Sequence, residues 1–193
     1  MRTRHAFVLI AVTLYCSAGI AAAADALVSG PQAGSRLPDN LLPSPLNVTN
    51  AEKPSYAGTK TDHTEQFGAD PVVLVFARAI TDPLTNLMKK LDAEVGKHKA
   101  ARLKAVVVLL SEDDKLERTL SELGKRQEIR RVSLAIMREG PKHYKLSQEA
   151  EVTVILYKRR KVEANHAFRK GELNHKAIGN VVADVSNLVS QKE

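Results

Sequence analysis

The chain's best candidates for chemistry are four consecutive residues, Thr81-Asp82-Pro83-Leu84. Thr81 precedes a run with helical spacing and Pro83 stands just inside it. The threonine oxygen is therefore expected to cap the amides of a helix start, where proline needs no donor. Free amides at such a terminus favour an anion or an extended peptide. They equally favour a thiolate, whose attack begins both disulfide exchange and peroxide reduction. Leu84 offers no sulfur, and Thr81 has no His or Lys close in sequence to take its proton. The sequence holds one cysteine, Cys16, far upstream. Thiol catalysis by the processed chain alone is not expected.

Other reactive residue types are scattered. His63, His98, His143, His166 and His175 lack the i, i+4 spacing that sets two ligands on one helix face, so no metal site is expected. Asp62-His63-x-Glu65 is ordinary surface composition, and the histidines read as solvated, with His166 packed on a strand. Lys158-Arg159-Arg160-Lys161, extended by Arg169 and Lys170, and a second set of Lys97, Lys99, Arg102 and Lys104 could attract nucleic acid or an anionic envelope surface. Without interleaved aromatics or a signature motif they read as a solvated rim that blocks edge pairing, and nucleic acid is not expected as a partner. The Asn47-Val48-Thr49 sequon matters only in a host that glycosylates. No phosphate loop, Ser-His-Asp order or paired-carboxylate motif stands out, and no cofactor is expected.

At 193 residues the chain fits one ordinary domain with some additional length. Its 44% hydrophobic and 26% charged residues exclude wholesale disorder and a polytopic membrane protein. Aromatics at 4%, with no Trp, argue against a stacking platform for single-stranded nucleic acid. Arg2 and Arg4, an apolar run from Ala6 to Val12 that continues weakly to Ile20, and the close in Ala21-Ala22-Ala23-Ala24 compose a secretory signal peptide over residues 1–24. An uncleaved anchor competes with this reading, but Thr13, Ser17 and Gly19 dilute the apolar run. Cleavage after Ala24 would remove Cys16 and leave a periplasmic or extracellular protein with no thiol, touching the membrane only during export.

The elements that must position Thr81 follow from periodicity. Residues 25–70 hold Pro31, Pro38, Pro43, Pro45 and Pro54 among small polar residues, an extended or loop-rich arm whose Leu37, Leu41, Leu42 and Leu46 could lie along the domain. A domain over 71–190 follows. Val72 to Ala77 is a strand buried on both faces, and Leu84, Leu87, Met88, Leu91 and Val95 form the apolar stripe of the helix after it. Leu103 to Leu110 is a second buried strand. Ser111 and Asp114 have capping-box spacing before a helix carrying Leu116, Leu120 and Leu123. Val132 to Met137 reads as a third strand, and 141–151 as a loop or single turn. Val152 to Tyr157 and Val162 to Phe168 should form an antiparallel hairpin, followed by a helix from near Asn174 with Ile178, Val181, Val182, Val185 and Leu188 turned inward. This order predicts an α/β fold with a mixed central sheet of about five strands and helices on both faces.

That order, with three stretches of text, resembles the thioredoxin-like superfamily in its redoxin or peroxiredoxin branch, over about residues 30–190. Gly30-Pro31-Gln32-Ala33-Gly34-Ser35-Arg36-Leu37-Pro38 is similar to the lead-in by which redoxins enter the domain. Val75 to Leu84 resembles the strand, loop and helix start that hold the active site. Tyr144-Lys145-Leu146, Val152 to Tyr157 and Lys161-Val162 resemble the family's later segment and hairpin. The text is also similar to a group of exported thioredoxin-like proteins common in planctomycetes. The resemblance implies a thioredoxin-like fold and places the family's C-x-x-C, or T-x-x-C, on Thr81-Asp82-Pro83-Leu84. The family's cis-proline falls on Val152, with the following Thr153 retained.

Two classes of function are compatible with this pattern. One is a non-catalytic module that binds an extended peptide or protein partner between the Thr81 loop and Val152, with Thr81, Leu84, Val152 and Thr153 as binding residues. The other is a redoxin-family protein that supports thiol–disulfide or peroxide metabolism through a cysteine-bearing partner. A structural envelope role is a third possibility.

Overall fold

The computed structural model describes residues 26–42 and 44–190; the segment 1–24, expected to be a signal peptide, and Cys16 within it lie outside the described residues. Six strands form one sheet in the order β1-β4-β3-β2-β5-β6. The central strand is β2 (Val72–Ala77), all six of whose residues are buried, as a continuous β-branched and apolar run requires. It runs parallel to β3 (Lys104–Leu110), which in turn runs parallel to β4 (Ser133–Met137). On its other side β2 pairs antiparallel with β5 (Val152–Lys158), the first arm of a hairpin with β6 (Lys161–Phe168). Arg159 and Arg160 close this hairpin with φ of 52° and 61°, the mirror-image turn whose twist suits a two-residue connection.

The sheet has six strands where about five are expected. The additional one, β1 (Leu46–Thr49), lies in the proline-rich arm and pairs antiparallel with β4 at the sheet edge. Four residues among prolines and polar neighbours are too few to show alternation. What holds them is pairing and the buried Asn47 amide, which donates to Thr59 O at 2.9 Å and Thr61 Oγ1 at 2.7 Å. The same arm carries the five-residue helix α1 (His63–Phe67), capped by Asp62, whose Oδ1 accepts from Thr64 N at 2.8 Å.

Side chains alternate across the sheet and build two separate cores. On one face α2 (Asp82–Lys97), α3 (Leu116–Arg126) and α4 (His175–Ser190) bury Leu84, Leu87, Leu91, Leu120, Val181 and Val185 against Val73, Val75, Val107 and Val154. On the opposite face no long helix is present among the described residues. Leu37 and Leu41 of the arm, Phe67 of α1 and Tyr144 of a short 3-10 turn cover Leu74, Phe76, Val108 and Ile155 instead. Leu42, also expected to lie along the domain, is exposed.

The expected capping box of α3 does not form. Ser111 Oγ accepts from Asp113 N at 3.1 Å and Asp113 Oδ1 from Lys115 N at 2.9 Å. Each bond closes two residues ahead, turning the chain before the helix rather than capping it. The helix starts at Leu116 without a side-chain cap.

Candidate functional site

The chain leaves β2 at Ala77, where Arg78 N donates to Glu151 O at 3.0 Å, and turns into α2 at Thr81. Thr81 is extended, with φ −123° and ψ 162°, and its Oγ1 accepts from Leu84 N at 3.2 Å. Its carbonyl accepts from Thr85 N at 2.9 Å and from Thr85 Oγ1 at 3.0 Å. Asp82 and Pro83 complete the first turn, the acid where the helix dipole favours it and the proline where no donor is needed. This is the expected helix start.

The residues grouped with it divide between the two faces of the sheet. Val152 stands opposite Ala77 in the β2–β5 register and belongs to the same apolar cluster as Leu84. Leu84 is 0% exposed and Val152 1% exposed, so these positions are filled by core side chains. Thr153, opposite Phe76, points the other way. Its Oγ1 shares a 2.7 Å hydrogen bond with Ser29 Oγ, which also accepts from Ser147 N at 3.0 Å. Thr81, Leu84 and Val152 thus meet at one end of the sheet, and Thr153 is joined instead to the arm. The Thr81 hydroxyl is engaged in its cap, and no sulfur is present among the described residues at this turn. The arrangement can stabilise a helix start but offers no nucleophile for electron transfer.

Open surface begins one residue away. Pro83, Asn86, Lys89 and Lys90 of α2 face Ile178, Gly179 and Val182 of α4 across a groove of about 670 Å³ with Leu173 in its wall. A Cβ at Gly179 would meet nothing within 4 Å, so the groove is open at that point. The apolar stripe of α2 does not by itself bring α4 against the Lys89 and Lys90 side of the helix. The exposed small residues Ala93 and Gly179 were the available signal.

The histidines differ from one another. His63, expected on the surface, is 0% exposed because α1 folds inward beside Phe67, whose ring centroid lies 5.6 Å from the imidazole. Burial lowers its pKa to about 4, against a smaller opposing effect of Asp62. His166 packs on β6 as expected and bonds Asp184 Oδ2 through Nε2 at 2.8 Å. Among the described residues no group of three or more His, Cys, Asp or Glu is arranged to hold a metal ion, and no helix is long and apolar enough to cross a membrane.

No sequence-family model matches the chain, and no curated protein matches it. Solved structures do. A provisionally named protein disulfide isomerase from Bacteroides thetaiotaomicron superposes with a TM-score of 0.59 at 14% identity, covering 86% of this chain and 96% of its own. Peroxidoxin BcpB from Mycobacterium tuberculosis gives 0.56 at 16% identity, covering 84% and 99%. The bacterioferritin comigratory protein of Xanthomonas campestris, described for alkyl peroxide reduction, gives 0.54 at 16% identity, covering 82% and 100%. Together with the mixed sheet and the helix start after β2, these likenesses show that the chain has a thioredoxin-like fold; the turn from Thr81 to Leu84 contains no cysteine.

Proposed function

We propose that this protein is an exported, non-catalytic thioredoxin-like module that binds an extended peptide or protein partner. The observation that carries the reading is Leu84: the position that would bear the attacking sulfur is a fully buried core residue one turn into α2. Export is supported by the charged, then apolar, then alanine-rich start at Arg2 to Ala24. Binding is supported by the groove beside Pro83, which combines apolar walls from Ile178 and Val182 with Lys89, Lys90 and His175, and has no carboxylate in its lining. Its occupant is an apolar peptide segment flanked by Asp or Glu, matched to the groove's charge and to the net +5 that 27 Lys and Arg against 22 Asp and Glu leave once residues 1–24 are removed.

An array of 12-residue peptides, probed with the processed protein after all peptide thiols are blocked, tests this. Expected binders carry apolar residues beside acids, and K89E/K90E weakens them about tenfold or more, as loss of two complementary charges at a partly desolvated surface would. Capture only of peptides with free cysteines, or unaided turnover of insulin or a hydroperoxide, would overturn the proposal in favour of thiol chemistry.

A further inference from the structure

A second recess lies at the carboxyl ends of the parallel strands, apart from the α2–α4 groove. Three segments converge on it: Arg78 just after β2, Arg138 to Lys142 just after β4, and Lys145 to Gln148 before β5. The connections diverge at this edge. The chain after β2 enters α2, on the face of the three long helices, whereas the chain after β4 passes to the opposite face, where Tyr144 is buried. Such a divergence opens a crevice where ligands of open α/β sheets are commonly received.

The cleft has a volume of about 480 Å³ and presents four cations, Arg78, Arg138, Lys142 and Lys145, against one carboxylate, Glu139. Arg78 is fixed in place: its Nε donates to Ala150 O at 3.0 Å and its Nη2 to Ser147 O at 3.1 Å. Those carbonyls orient the guanidinium without neutralising it. Among the described residues no carboxylate pairs with Arg78, Lys142 or Lys145, and Arg138 makes only an exposed pair with Asp114 at 3.1 Å. Surface pairs of that kind contribute little and exchange readily for a ligand. The floor is closely packed, since Pro141 is buried and a Cβ on Gly140 would lie 3.0 Å from Leu146 Cδ1.

We infer that this cleft is a binding site for a small polyanion, a phosphate ester or polycarboxylate free in solution. Converging cations around one preset guanidinium favour several closely spaced anionic oxygens over a single charge, because each oxygen gains a charge-assisted hydrogen bond. The inference is independent of the peptide groove, with which the cleft shares no residue.

Titration of the processed protein with inorganic pyrophosphate and with citrate, at physiological ionic strength, tests it. The expected result is one site per chain, with a melting temperature that rises with ligand concentration. K142E and K145N, the latter keeping a residue that tolerates the left-handed backbone at φ 52°, should each weaken binding about tenfold or more. K99E removes an exposed lysine just before β3, at the opposite end of the parallel strands from the cleft, and should leave affinity within about twofold, as for a screened distant charge. Equal weakening by all three variants would show diffuse attraction and overturn the site, as would absence of binding. Vesicles containing phosphatidic acid supply the same phosphate on a membrane. Sedimentation with them that pyrophosphate fails to displace would overturn the free-ligand assignment.

Discussion

Ser29 and Thr153 share a buried hydrogen bond of 2.7 Å across 124 residues of sequence, and it fastens the proline-rich arm to the face of β5. Asn165 of β6 strengthens the same attachment, its Nδ2 donating to Ser29 O at 2.9 Å and to Pro31 O at 2.8 Å. Between them Gly30 has φ 79°, and a Cβ there would meet Ile155 Cδ1 at 3.3 Å, so the arm crosses the sheet where only glycine fits easily.

S29A leaves both the Thr153 hydroxyl and the Ser147 amide without their partner, and T153V leaves the Ser29 hydroxyl with the Ser147 amide alone; a lost partner at such a buried group costs about 1–3 kcal/mol. S29A and T153V should therefore each destabilise by that amount in urea unfolding, while the double variant costs less than the sum. Strict additivity would mean that the bond contributes nothing to holding the arm.

Thiols introduced at the helix start should differ in reactivity. T81C places sulfur at a half-buried cap position, where the helix terminus lowers its pKa, so it should react readily with a disulfide reagent. L84C buries its sulfur in the apolar cluster with Val152, so it should be unreactive until unfolding and should destabilise the protein by about 1–3 kcal/mol through the smaller side chain. Fast labelling of L84C in the folded state would show that the turn is open to solvent.

Stability should fall in mild acid because of His63. Both of its ring nitrogens are buried with no hydrogen-bond partner among the described residues, and burial lowers its pKa from 6.5 to about 4. The unfolded chain therefore binds a proton between pH 6.5 and 4 that the folded chain does not, and stability falls as pH drops through that window, then levels below it. The full loss is about 3 kcal/mol. Urea unfolding from pH 7.5 to 4 should show it, and H63L should flatten the curve across this range. An unchanged slope in H63L would assign the acid sensitivity to another group.

The long elements could be read from the sequence because each has a strong period or a continuous apolar run: β2 and β3, the α2 stripe from Leu84 to Val95, and the hairpin around Arg159-Arg160 all form where expected. Short, context-dependent pieces could not. β1 exists through pairing with β4 and the Asn47 amide, and α1 turns His63 inward against a composition that looks solvated. That Thr81 to Leu84 carry no sulfur needs only residue identity, whereas laying the family's cysteine on Leu84 rests on the resemblance alone. The division of Val152 from Thr153 follows from strand alternation, yet only Ser29, over a hundred residues away, reveals what Thr153 faces. Neither groove nor cleft could be read, since each is lined by segments distant in sequence.

Asp92 ties α2 to the entry of β4 and gives the sharpest structural prediction. Its side chain is mostly buried and accepts from the backbone amides of Arg130 at 2.8 Å, Arg131, and Val132 at 3.3 Å, with the Arg131 guanidinium at 2.9 Å. One carboxylate thus satisfies three consecutive amides that the tight approach to β4 leaves without strand partners. D92A would orphan them together and should cost about 3–5 kcal/mol, the range for breaking a buried charged network. D92N keeps the shape but turns one acceptor into a donor facing N–H groups, so it should recover only part of the loss. R131A should be milder, because the Arg131 side chain is 45% exposed and the backbone amides still hold the carboxylate. Chemical denaturation of the three variants checks the order, and equal losses in D92A and R131A would show that the ion pair, rather than the amide cluster, holds this loop.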